Sequence, residues 1–320
     1  MRKHIISLFS AFMIISLVLM PSQLTQSAAE GINIWLFSVF PSLFPFMVSA
    51  NMLVMSGGAV FLGRLIAFPF EKLFKVSSKG AFAFISGIIC GYPMGAKAAA
   101  DLYRNGEISA EDAFLLLSFS MNAGPAFIMS AAACQILKYP PAGKIILFST
   151  IISNVITGIT VCRIYRTQEY SPKIFACESQ NFSFSQIISQ SVSSSVSSML
   201  QLGGYIIFFS VLTDILSRLG VLRAISLLMP MESSAAQSLL TGMLEMTCGI
   251  KKTAEISAPI NIKITLSAFI VSFGGFCVHF QAFDFVKDIP GSSLGGFSFF
   301  KLINGILSAV SAFLLSYFLL

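Results

Sequence analysis

The chain is a succession of long apolar stretches separated by short polar ones, and the way the stretches are interrupted gives it a plan. Apolar residues run from Ile5 to Met20, Ile32 to Met55, Gly80 to Tyr103, Ser109 to Leu137, Lys144 to Cys162, Tyr205 to Leu216 and Phe299 to Leu320. Several are long enough to cross the hydrocarbon layer as helices, which takes roughly 20 residues. The stretch Gly80 to Tyr103 is not continuous, because Gly91, Pro93 and Gly95 fall within five residues. Glycine loosens a helix, while proline removes a donor and clashes with the preceding turn. Backbone groups freed in hydrocarbon go unpaired unless protein or a watery cavity surrounds them. A broken apolar helix therefore points to a solute site, with Lys97 adding a charge one turn later. The alternative is a proline kink made only for packing.

Other stretches are interrupted too. Phe40-Pro41-Ser42-Leu43-Phe44-Pro45-Phe46 places two prolines one turn apart, which predicts a bend or an end near mid-membrane. Ser109-x-x-Asp112 reads as a helix N-terminus, and the helix it opens is broken at Asn122-Ala123-Gly124-Pro125. Two adjacent interrupted segments joined by a short turn predict re-entrant or discontinuous helices. Residues 183–200 are rich in serine, and Ile188, Val192, Val196 and Met199 recur at helical spacing, which predicts an amphipathic helix with a serine and glutamine face. Leu240 to Lys251 then repeats the earlier pattern: Gly242, Gly249 and Lys251 correspond to Gly87, Gly95 and Lys97, with one residue fewer between the glycines. Ser272-Phe273-Gly274-Gly275 answers the break at 122–125. The expected fold is an all-α polytopic membrane protein of two diverged repeats with discontinuous or re-entrant helices. Its divisions are 1–29 (signal-anchor-like), 30–166 (first repeat), 167–298 (second repeat, with the serine-rich helix) and 299–320 (a plain C-terminal span).

Composition agrees. Of 320 residues, 55% are hydrophobic and only 11% charged, where soluble domains carry roughly a quarter charged. The formal charge of +6 is spread, with Arg64, Lys72, Lys75 and Lys79 opposed only by Glu71. This is the basic bias of cytoplasmic loops and not a nucleic-acid surface. Arg2, Lys3 and His4 place the N-terminus in the cytoplasm. Ser27-Ala28-Ala29 would suit a signal peptidase, but the apolar segment that follows favours a retained anchor. The six cysteines (Cys90, Cys134, Cys162, Cys177, Cys248, Cys277) form no Cys-x-x-Cys pair, and the histidines are His4 and His279 alone. No metal or other cofactor is expected.

Ionisable residues within apolar segments are candidates for function, since each costs about 3 kcal/mol in the bilayer. Glu245 is the clearest: a cation or proton ligand, or the partner of Lys97 or Lys251 in a structural ion pair. Lys97 and Lys251 would attract an anion or snorkel to an interface. Asp214 pairs locally with Arg218, and His279 reads as a packed imidazole. The candidate substrate site is Gly91, Tyr92, Pro93, Gly95, Lys97, Asn122, Pro125, Glu245, Gly249, Lys251, Gly274 and Gly275. Enzyme motifs are missing: the chain has no His-Glu-x-x-His, no Gly-x-Ser-x-Gly and no Walker A loop.

Val-Phe-Pro-Ser-Leu-Phe-Pro-Phe (39–46), Gly-Tyr-Pro-Met-Gly-Ala-Lys (91–97), Leu-Ser-Phe-Ser-Met-Asn-Ala-Gly-Pro (117–125) and Leu-Gly-Gly-Tyr-Ile-Ile-Phe-Phe-Ser-Val-Leu (202–212) stand in the order and spacing of one family. The chain resembles the YlbJ sporulation integral membrane proteins, also called SpoVV, whose modules are similar to the gate domain of nucleoside permeases. Where that family reads Thr-Asn-x-Ser-Asn-Pro, this chain has Ser-Met-Asn-Ala-Gly-Pro at 120–125, keeping Asn122 and Pro125. The resemblance implies transport of dipicolinic acid, a small aromatic dicarboxylate, from the mother cell across the outer forespore membrane. Half-helix N-termini, Lys97 and Lys251 would suit the anion, and Tyr92 its ring. A nucleoside or other small-solute permease, and a non-transporting protein of spore envelope assembly, are the other readings. The expected partners are the lipid bilayer and a small anionic solute, with room for a homo-oligomer or a partner membrane protein and no nucleic acid.

Overall fold

The computed structural model describes residues 2–166 and 183–319, and all regular structure among them is helical. Helix α1 (Arg2–Leu19) gives way at Met20 to α2 (Pro21–Asn33), with Pro21 in the first turn, where a missing N–H costs nothing. From α2 the chain passes through a π-helical stretch, Ile34–Val39, into α3 (Phe40–Met55). Pro41 and Pro45 therefore neither end nor break this helix. The Phe40 N–H reaches back to the Trp35 carbonyl, and the wider turn just before Pro41 makes room for its ring. The result is one span, Pro21–Met55, and the 29/30 division lies inside it.

After α4 (Gly58–Phe74), α5 (Gly80–Cys90) and α6 (Met94–Arg104) pack against each other as a hairpin. At 11 residues each they are about 16 Å long, roughly half the hydrocarbon thickness. Helix α7 (Ala110–Ser120) starts at Ser109, whose hydroxyl accepts the Asp112 N–H at 3.0 Å. It stops at an extended segment, 121–124, before a second π-helical stretch, Phe127–Ile136. Helix α8 (Pro141–Tyr165) is a full span. Cys177 and the rest of 167–182 lie outside the described residues.

Helix α9 (Phe184–Arg218) opens with a reciprocal cap between Ser183 and Gln186 and merges the serine-rich segment with the apolar run behind it. Its polarity is inverted: Ser191 and Ser195 are buried, while Ile188, Val192 and Val196 are exposed. Ser195 accepts from the Asn51 amide of α3 at 2.9 Å. Small polar residues let helices approach closely, and apolar ones face lipid. Helix α8 does the same, with Ser149, Ser153 and Thr157 inward and Phe148, Ile152 and Ile156 outward.

A short α10 (Val221–Ser226) leads to a second hairpin of half-length helices, α11 (Ser233–Leu244) and α12 (Met246–Glu255). Then come α13 (Ile260–Phe273) and α14 (Gly275–Val286), interrupted at left-handed Gly274, and finally α15 (Leu294–Leu319). Helices α8, α13 and α15 pack together, and α9 lies along α2 and α3. Five of the described helical segments are long and apolar enough to cross a bilayer. The protein is an all-α polytopic membrane protein.

Candidate functional site

Each hairpin tip rests on the break of the discontinuous helix that follows it. In the first hairpin, Gly91 has φ +75°, and a Cβ there would lie 2.5 Å from the Gly124 nitrogen, so only glycine lets the tip settle on the 121–124 segment. Behind the tip, Gly87 and Gly95 bring α5 and α6 together around the Ser120 carbonyl, which any Cβ at either position would overlap. In the second hairpin, Gly249 meets Gly242 backbone to backbone. Gly275 lies under its tip, where a Cβ would meet the carbonyls of Gly242 and Leu244 at 3.1 and 3.2 Å. Tyr92 joins the two sets. Its hydroxyl reaches the Val271 and Ser272 carbonyls at the end of α13, both at 3.4 Å, and presses on Gly274.

A cavity of about 90 Å³ lies between the tips, closed by α9, α14 and the α2–α3 span. Gly91, Tyr92, Pro93 and Lys97 line it from the first hairpin, and Ala123 and Gly124 from the break between Asn122 and Pro125. Of the other expected residues, Gly95, Gly249, Gly274 and Gly275 shape the tips from behind. Asn122 turns its amide to the Phe119 carbonyl at 3.3 Å, and Pro125 opens the next helical segment.

Two expected residues are placed elsewhere. Lys251 does not line the cavity: it pairs with Glu30 of α2 at 2.9 Å, both half-exposed. Glu245 pairs with neither lysine. It is the N-cap of α12, accepting the Cys248 N–H at 2.7 Å and the Thr247 hydroxyl, with Cys277 Sγ 3.9 Å away. The positive end of this half-helix thus already holds a carboxylate and is not free for an anionic solute.

Sequence reasoning missed other residues. Gln281 of α14 and Gln201, Ser194 and Ser198 of α9 line the cavity, as does Thr247. Gln281 is 5% exposed, and its Nε2 has no hydrogen-bond partner in the fold. A lone glutamine inside an apolar run was the available signal. The C-terminal helix, long and apolar enough to span, also carries polar groups inward. Lys301 is fully buried, with Nζ 2.6 Å from the Met121 carbonyl and 5.5 Å from the centre of the Tyr92 ring. One turn on, Asn304 donates to the Ser118 carbonyl at 2.9 Å and accepts from Ser153 and Thr157 at 2.9 and 2.7 Å. Starting at Leu294 instead of 299, α15 carries Lys301 well inside the helix, where snorkelling is no explanation. His279 is held by Ser298 and the Phe273 carbonyl, and Asp214 by Arg218 and Ser27. A larger cavity, about 240 Å³, lies among α4, α5 and α6 beside Arg64, Lys79, Asp101 and Glu107, and includes neither tip.

Paired hairpins and interrupted helices that meet around a cavity define the membrane fold of this chain. The same fold occurs in CNTnw: the chain superposes on an outward-facing state with a TM-score of 0.62 at 13% identity, covering 99% of this chain and 86% of that one. For an inward-facing, substrate-bound state the TM-score is 0.59 at 11% identity, over 99% and 85%. No family model matches the chain. By sequence it is related to a sporulation protein, being 27% identical over 335 residues to the sporulation integral membrane protein YlbJ of Bacillus subtilis (strain 168). That match takes in 97% of this chain and 82% of the relative. The resemblance read from its motifs extends along nearly its whole length.

Proposed function

We propose that this protein carries a small solute across a membrane during sporulation, binding it in the cavity between the two hairpin tips. The observation that carries this reading is the lining itself: Gln281, whose buried Nε2 has no partner, lines the same small space as Lys97 and the Gly91-Tyr92-Pro93 tip. An unpaired buried amide costs about 1–3 kcal/mol, a penalty that a hydrogen-bonding solute removes. The half-helices and their breaks supply hinges, and the CNTnw fold, known in outward-facing, intermediate and inward-facing substrate-bound states, supports alternating access. At about 90 Å³ the cavity is closed around less than the roughly 300 Å³ usual for a ligand pocket, so loading requires the tips to part. The order of parts in 30–166 and 167–298 is the same, and we read the two as a diverged duplication that gave one hairpin and one broken helix to each side.

For the solute, the resemblance to YlbJ favours dipicolinic acid, moved from the mother cell across the outer forespore membrane. Lys97 supplies the positive charge near the cavity and Tyr92 an aromatic wall. A second reading, a nucleoside or other neutral solute, is favoured by the neutral hydrogen-bonding groups of Gln201, Gln281, Ser194, Ser198 and Thr247. Uptake of labelled dipicolinate into liposomes containing the protein, with a nucleoside as competitor, separates them. Saturable uptake that resists the nucleoside and is lost in Lys97→Met supports the dicarboxylate. Uptake that the nucleoside blocks supports the permease, and no uptake of either overturns the carrier reading.

A further inference from the structure

The end of α7 is an interrupted helix C-terminus inside the membrane, with carbonyls that have lost their helical donors. Three of the carbonyls at this end accept side-chain donors, and a fourth is covered by glycines. The Ser118 carbonyl takes the Asn304 amide at 2.9 Å and Phe119 takes the Asn122 amide at 3.3 Å. Ser120 is covered by the bare Cα atoms of Gly87 and Gly95, and Met121 takes the Lys301 amine at 2.6 Å. The amine is fully buried, and among the described residues no carboxylate pairs with it. Against the cost of its burial, two neighbours favour a positive charge without an anion: the negative end of a half-helix and the face of the Tyr92 ring, 5.5 Å away. In transporters built from broken helices, unwound carbonyls and half-helix C-termini are where a free coupling cation binds.

We infer that Lys301 is a resident cation, tethered to α15, that fills this place at the end of α7. The protein then needs no monovalent metal ion to hold the first tip and the α7 break in register. The inference rests on the transporter reading for its meaning, but its geometry does not depend on which solute is carried. Lys301 touches the Met121 carbonyl of the break and the ring of Tyr92 at the tip, so the two parts are organised by one side chain from a third helix. Lys301 is thus a positioning residue.

The test is the melting temperature of the purified full-length protein in detergent, in sodium, potassium, lithium and choline chlorides at equal ionic strength. Wild type is expected to melt alike in all four. Lys301→Ala is expected to melt several degrees lower in choline and to regain at least half of that loss with a small metal ion or methylammonium, which enter the vacated space. Lys301→Gln, which keeps a donor for Met121 without the charge, is expected to melt between the two and to respond to no salt. Stabilisation of wild type by one metal ion over choline overturns the inference, as does a Lys301→Ala protein that no cation rescues. The wild-type arm decides the matter even if neither variant folds. These melts need no solute, so a failure to transport dipicolinate or a nucleoside leaves them standing and counts only against the carrier reading.

Discussion

The contact of α5, α6 and the Ser120 carbonyl makes a sharp demand on Gly95. A Cβ built there lies 2.8 Å from the Ser120 carbonyl carbon and nearer still to its oxygen, where ordinary contact begins at 3.4 Å. The other side of the contact is backbone, held by the Asn304 and Lys301 bonds on either side of Ser120, so no flexible side chain can swing away. Gly95→Ala must therefore push α6 off the break by at least about 0.6 Å. Overpacking of this kind costs about 1–3 kcal/mol. The expected fall in melting temperature is on the order of 5–10 °C. Gly204→Ala supplies the control, being the same change in the middle of α9 with nothing within 4 Å of the new Cβ. There alanine removes the helix penalty of glycine, worth roughly 0.5–1 kcal/mol, and the protein should melt higher. Thermal melts of the two variants side by side check the reasoning. If both shift the same way by similar amounts, the tip is not built on a close backbone contact.

Gln281→Leu should raise the melting temperature of the unliganded protein, since it removes a buried donor whose lack of a partner costs about 1–3 kcal/mol. It should also weaken solute binding by about tenfold or more, and a melt that falls would refute this. Lys97→Met should abolish uptake while Lys251→Met leaves it unchanged, because the half-exposed Lys251–Glu30 pair is worth at most about 1 kcal/mol and lies off the cavity. Flux assays on the two variants, with the reverse pattern, would sink that distinction. Glu245→Ala should lower the melt by the value of a helix cap, about 0.5–2 kcal/mol, and an unchanged melt would show that the carboxylate caps nothing. Asn304→Leu should destabilise by about 1–3 kcal/mol for each group it orphans, the Ser118 carbonyl and the Thr157 hydroxyl, while Ser153 keeps its bond to the backbone carbonyl of residue 304.

The breaks were legible because they are made by residue types with few other uses in a bilayer. Gly91-Tyr92-Pro93 and Gly274-Gly275 interrupt runs that are otherwise largely apolar, and the structure interrupts its helices at those places. The matching glycines 87 and 95, and 242 and 249, proved to be the crossing points of two hairpins, something a spacing hints at but cannot establish. Charge was less readable. Glu245 and Lys251 lie six residues apart on one strong motif, yet one caps its own helix and the other faces Glu30 across α2. Whether a charge near a helix end looks inward depends on rotation about the helix axis, which only packing decides. Lys301 is a lone cation near the start of the apolar run 299–320, and only the helix's earlier start at Leu294 and its packing put it in the interior.

In a protein whose outer surface meets lipid, polarity points inward and many of the buried polar side chains are answered by the fold. Ser153 and Thr157 are matched by Asn304, Thr150 by Ser272 and His279 by Ser298. Against that background an unanswered group locates function better than a charged one does. Several buried polar atoms lack partners, among them those of Ser86, Thr213, Thr241, Ser267 and Ser308, but these do not border the cavity between the tips. Gln281 does. Gln281 sits on α14, just beyond the break that carries the second tip, and lines the cavity together with the first tip. On the proposed carrier reading, a solute that bonds to it would touch both the first tip and α14 at once. Such a ligand stabilises the closed arrangement and releases it on leaving, which is the differential binding that any ligand needs in order to shift a conformational equilibrium.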